Sequence, residues 1–170
     1  MDKAIITTLL IVISMVTGVL LFNAAYPAVI ESSDAMASMT NRADERLQSQ
    51  IAIIHATGEL DSTGWWQDTN SNGQFDVFVW VKNVGSTRIT AIEQTDLFFG
   101  PEGNFTRIPH QSQAGGAYPN WDWQVENAAD WSPTATLKIT IHYGAPLATG
   151  RYFLKTTTPN AISDDHFFSM

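Results

Sequence analysis

The chain has no cysteine, so there is no disulfide framework, thiolate nucleophile or cysteine-based metal site to consider. Positive charge is scarce as well. Nine Lys and Arg residues stand against seventeen Asp and Glu, a net charge of −8, and the basic clusters that a phosphate backbone demands are absent, which excludes nucleic acid as a partner. The four histidines, His55, His110, His142 and His166, are scattered without metal-ligand spacing. No nucleophile elbow, phosphate loop or metalloprotease helix is present. Asp122, Glu126 and Asp130 would form an acid pair only by tertiary accident, so the sequence reads as that of a protein that is not an enzyme. No internal repeat or low-complexity tract interrupts it.

What the chain does have begins at its start. After Met1, Asp2 and Lys3, the run from Ala4 to Ala25 carries no charge; as a helix it is about 30 Å long, enough to cross the hydrocarbon of a bilayer. Hydropathy alone fits a signal peptide or a plain membrane anchor, but the run exceeds the usual apolar region of a signal peptide and lacks a small-x-small cleavage site. Past Pro27, helix-forming residues continue to Gly58, a suitable C-terminal stop. Val29, Ser33, Met36, Thr40, Ala43, Leu47, Ile51 and Ile54 fall at the three-and-four spacing of one helical stripe, with charged and amide residues on the other faces. The spacing predicts one rod over residues 1–58, about 80 Å long, kinked or locally melted at Pro27. A lone stalk has no need of an apolar stripe. A subunit held in a membrane and then drawn into a bundle of identical helices does, with Ile5, Leu9, Val12, Val16, Leu20, Val29, Met36, Ala43, Leu47, Ile51 and Ile54 as its polymerisation face and Thr7, Thr8, Ser14, Thr17 and Gly18 permitting close approach.

Residues 59–170 read as an all-β head. Phe75, Val77, Val79 and Val81 alternate with Asp76, Phe78, Trp80 and Lys82; further strands are expected in Thr87–Thr95, Asp96–Phe99, Thr134–Tyr143 and Gly150–Thr158, and the stretch 109–131 reads as a long surface loop. Short strands with regular turns favour an immunoglobulin-like sandwich, so the fold class is α+β. Asp68, Asn70, Asn72 and Asp76, with Gly73 at the sixth position, follow the spacing of a calcium loop. Val79 stands where the bidentate Glu would be, and the alternative is an Asn72-Gly73 hairpin turn. Trp121 and Trp123 are candidates for an interface between heads, and Asn104-Phe105-Thr106 is the one N-glycosylation sequon.

Three stretches carry a family resemblance. Asp2-Lys3-Ala4-Ile5-Ile6 resembles the charged leader and small residue before the apolar helix of type IV filament precursors. Ser32 to Ala37 with Arg46 to Ile51 resembles the helix of archaellins. Phe75 to Ile89, containing Lys82-Asn83-Val84-Gly85, is similar to the strand, turn and strand of archaellin-type heads. The resemblance covers most of residues 1–100 and lacks the early Glu usual in bacterial type IV pilins. It implies an extracellular helical filament subunit of an archaellum, membrane-held before assembly, with itself, a prepilin peptidase and an assembly ATPase and platform as partners. Cleavage after Ala4 would start the mature chain at Ile5; otherwise Met1 is itself the mature first residue. The alternatives are a subunit of an adhesive archaeal-type pilus, or a membrane-anchored β-sandwich accessory protein that ties the base of the archaellum to the envelope.

Overall fold

The computed structural model describes residues 2–170, and the side chains of all of these except residues 45–47. The chain divides into two compact units, a helical segment up to Asp44 and a head formed by Glu45–Met170. Helix α1, Asp2–Gln48, runs for 47 residues and continues through Pro27, about 70 Å at 1.5 Å per residue. Met1 lies outside the described residues, and with it the question of where a mature chain starts.

The rod is shorter than its stripe predicts. Residues from Ile51 to Gly58 form strand β1 rather than the last turns of the helix. The spacing of Ile51 and Ile54 satisfies either element, and pairing decides: β1 lies antiparallel against β2, Phe75–Asn83, whose backbone and buried valines reward an extended neighbour more than a helix would. Ile51 is therefore a core residue of the head, 8% exposed, not part of a polymerisation face. The register shifts between Ile53 and His55, a bulge that takes Ile54 out of the ladder and leaves it exposed. Leu47 falls among the residues whose side chains are not described. Ile51→Lys is accordingly expected to destabilise the head by at least the roughly 1.5–3 kcal/mol that burial of such a side chain contributes, read as a lower melting temperature, where a helix-seam residue would leave it unchanged.

The remaining strands are β3 (Asp96–Pro101), β4 (Thr106–Ile108), β5 (Asn120–Glu126), β6 (Thr136–Tyr143), β7 (Arg151–Thr157) and β8 (Ser163–Ser169). They form two four-stranded sheets, β1-β2-β6-β5 and β4-β3-β7-β8, every pairing antiparallel. Val77, Val79, Val81, Leu137, Ile139 and Ile141 of one sheet and Leu97, Phe99 and Leu154 of the other are at most 1% exposed, which is the alternating inner face of a sandwich. The predicted strand Thr87–Thr95 is instead irregular chain and a short 3-10 turn at Ile92–Gln94, whose Ile89 and Ile92 plug the end of the core. The predicted loop 109–131 contains a short helix α2, Gln111–Ala114, and β5, where Trp121 is fully buried. It is a core residue and not a head interface.

The Lys82-Asn83-Val84-Gly85 turn receives the chain where it enters the head. The Gln50 carbonyl accepts from the N–H groups of Val84 (2.9 Å) and Gly85 (3.0 Å), and the Gln48 carbonyl from Ser86 (2.8 Å). A Cβ at Gly85 would collide with the Gln48 carbonyl and the Gln50 amide, so only glycine allows this approach. Asn83 is fully buried; its Nδ2 donates to the Thr87 carbonyl (2.8 Å) and the Trp131 carbonyl (3.1 Å) while its Oδ1 accepts from Gly85 (3.0 Å).

Candidate functional site

Two features of the chain bear on function: the apolar helix and a polar cluster at one end of the head. In the helix, Ile5, Leu9, Val12, Val16, Leu20, Val29 and Met36 are all more than half exposed and Ala43 is exposed too. Among the described residues nothing covers them, so they are available to lipid or to other helices. The hydroxyls of Thr7, Thr8, Ser14 and Thr17 each donate to the carbonyl four residues earlier, at 2.8–2.9 Å. Hydrocarbon offers no partner, and these bonds remove the hydroxyls' need for one. The helix is long and apolar enough to cross a membrane.

The cluster is built around Asp76, at the first turn of β2 and fully buried. Its Oδ2 accepts from Asn70 Nδ2 at 2.7 Å and Asn72 Nδ2 at 2.8 Å, and its Oδ1 faces His142 Nδ1 at 2.7 Å. Register places His142 there, since Asp76 and His142 are cross-strand partners in β2 and β6. Asp122, on β5 at the other side of β6, has its Oδ1 3.6 Å from His142 Nε2. The remaining loop residues close around a second acid. Glu59, 3% exposed, accepts from Thr69 N (2.8 Å) and Thr69 Oγ1 with Oε1, and from Asp76 N (3.1 Å) and Trp66 Nε1 (3.3 Å) with Oε2. Asp68 accepts from Asn72 N (3.2 Å) and Gly73 N (2.9 Å).

The charges in the cluster support one another. The Asp122 carboxylate at Nε2 and the Asp76 carboxylate at Nδ1 push His142 up to about 9 against the opposing effect of burial. For Asp76, burial disfavours the carboxylate most strongly, yet the hydrogen bonds from His142, Asn70 and Asn72 and the imidazolium charge together hold it below the usual range. The raised His142 contributes stability that is complete below its unfolded value of 6.5 and is lost as pH rises through 9. Asp76 contributes above 3.8 and loses its contribution as pH falls below that. The head is therefore expected to be most stable between these limits and to lose about 3 kcal/mol between pH 6.5 and 9, read as a falling melting temperature that His142→Gln flattens.

Asp68, Asn70, Asn72 and Asp76 are joined by hydrogen bonds, with Asn70 and Asn72 turning their amide N–H groups, not their oxygens, toward Asp76. Among the described residues no three His, Asp or Glu side chains converge as a metal set. Glu59, His142 and Asp122 are the members of the cluster that the sequence reading missed; the pairing register of three strands assembles them. With its donors already aimed at the carboxylate, the loop is expected to melt at the same temperature in millimolar calcium and in chelator, and a rise of several degrees with calcium would mark it as a cation site. Asn104 is exposed on the β3–β4 turn, and Trp123, on the edge strand β5, is 36% exposed.

No protein-family model matches the chain. Among solved structures it is similar to the archaellum periplasmic stator protein FlaG from Sulfolobus acidocaldarius, with a TM-score of 0.54 and 25% identity over 71% of this chain and 99% of FlaG. The head has the fold of FlaG. A similar match joins it to a chain of the archaellum periplasmic stator protein complex of FlaF and FlaG from the same organism, with a TM-score of 0.53 and 25% identity over 70% of this chain and 88% of that one. An uncharacterized protein of Archaeoglobus fulgidus is 22% identical over 174 residues, 98% of either chain. The two stator matches span a share of this chain close to that of the head, whereas the third takes in nearly the whole of it.

Proposed function

We propose that this chain is a membrane-anchored accessory protein of an archaellum-type motility machine, with α1 holding it in the membrane and the head acting at the cell surface in a stationary structure around the filament base. The observation that carries this reading is the match of 71% of this chain to nearly the full length of FlaG at 25% identity. The course of the chain supports it. The stripe that argued for a polymer ends in the head's own core at Ile51, leaving an exposed apolar helix long enough for a bilayer to cover. The role is structural, with no chemical step assigned to the chain, and its partners are other proteins of the machine, as FlaG has been solved together with FlaF.

Shearing filaments from cells that make the protein tests the proposal. The chain should remain with the membrane fraction, and deleting its gene should impair swimming while the subunit composition of the filaments stays the same. Its recovery as the main protein of sheared filaments would overturn the accessory role and restore the subunit reading. A chain that is neither in filaments nor needed for swimming would remove it from the machine altogether.

A further inference from the structure

The outer edge of β5 has the makings of a receptor for an extended strand. β5 ends its sheet, and the Trp121 N–H donates away from that sheet, to the Pro109 carbonyl at 3.1 Å. Backbone groups of a strand alternate in direction with period two, so the N–H and C=O groups of Trp123 and Val125 also point off the edge. Beyond Trp121 these groups have no partner among the described residues. The first residues of the edge are already used, as His110 forms a parallel bridge with Trp121. α2, which follows, stays close to β5, while the backbone groups of Trp123 and Val125 on that edge stay unpaired among the described residues.

Beside the open stretch lies a cleft of about 250 Å³, whose lining combines Trp123, Val125, Ile92 and Trp131 with the ion-paired Arg88 and Asp130. Trp123 and Val125 pair with Ile139 and Leu137, so their side chains lie on the core face of the sheet, toward the cleft. Trp131 is 1% exposed and its indole N–H has no hydrogen-bond partner. Ala91 is held at φ 54, ψ 47, a left-handed conformation that a non-glycine residue keeps only when its surroundings impose it. The opposite face of β5 carries Glu126 and Asp122, whose Oδ1 faces His142 and which is still half exposed, and the chain as a whole is at −8.

We propose that this edge binds an extended segment of another protein by strand addition, with apolar side chains at alternate positions entering the cleft and Lys or Arg side chains on the other face meeting Asp122 and Glu126. A second copy of β5 is the wrong occupant, because it would set acidic residues against acidic residues. The edge belongs to the head alone, so this pairing stands or falls separately from the anchoring role.

The test uses the isotope-labelled full chain in detergent micelles and a blocked heptapeptide that alternates valine with lysine. Binding should shift the amide signals of Trp123 and Val125 before those of β1 or β8. N-methylation of one alternating set of peptide amides should weaken binding about tenfold or more, the equivalent of a lost hydrogen bond with its desolvated partner, while N-methylation of the other set changes it less than about twofold. Replacing lysine by glutamate should also weaken it about tenfold. Val125→Pro removes an off-edge donor without touching the β5–β6 ladder and should abolish binding; because the Val125 side chain packs on the core, Val125→Ala, which loses that packing but keeps the N–H, is the control and should bind within about threefold of the parent. Equal effects of the two N-methyl sets, equal binding of the glutamate peptide, or shifts confined to other strands would each overturn the proposal. Concentration-dependent dimerisation that Val125→Pro abolishes would overturn it in favour of a second copy.

Discussion

Asp76→Ala is expected to destabilise the head by about 3–5 kcal/mol, because it removes the buried member of an ion pair and leaves His142 with only the partly exposed Asp122 as a counter-charge. The side chain is fully buried and its two oxygens receive Asn70, Asn72 and His142. Without them two amides and an imidazolium lose their acceptor, and the 68–74 loop loses what holds it to β2. For a head of this size the fall in melting temperature is roughly 10–20 °C. Asp76→Asn keeps the volume and one acceptor and should fall by less. It should also return the titration of His142 toward its ordinary range, which proton resonances of the imidazole would follow. An Asp76→Ala protein that melts within a degree or two of the parent would show the cluster to be surface decoration.

Trp121→Ala is the second large effect, at about 3–5 kcal/mol for a truncated core aromatic. Trp121 is completely buried, its ring 4.7 Å edge-on from that of His110, and it lies across from Ile141. An interface residue would behave in the opposite way, weakening association while sparing the melting temperature. Trp123→Ala, on the same strand but partly exposed, should cost only about 1 kcal/mol. Near-ultraviolet circular dichroism during thermal unfolding measures both, and equal losses from the two substitutions would contradict the burial difference between them.

These two tryptophans show how far the pattern could be followed. Trp121, Trp123 and Val125 alternate with Asp122, Gln124 and Glu126, a period-two signal within a stretch whose glycines and prolines otherwise read as loop. β8 gave a fainter one, because Phe167 and Phe168 fall on opposite faces and neither face is uniformly apolar. The segment around Ile89 and Ile92 gave a misleading one: apolar residues near the end of a sandwich serve as well for plugging the core as for building a strand.

By itself the amino-acid sequence determined an apolar helix able to cross a bilayer, an all-β head with strands from Phe75 to Lys82 and within Thr134–Tyr143, a turn of the Lys82-Asn83-Val84-Gly85 kind, and the closeness of Asp68, Asn70, Asn72 and Asp76 along one short stretch of chain. All of these are local, set by hydropathy over one run, by alternation along one strand or by turn chemistry across a few residues. Only the tertiary structure decided where the helix ends, because the spacing of Ile51 and Ile54 suits a helix and a strand equally and the hydrogen bonds of β2 choose between them. It alone set His142 between Asp76 and Asp122 and left β5 at the edge of its sheet. Those outcomes depend on register and strand order among segments far apart in sequence, and no periodicity within one segment carries that information.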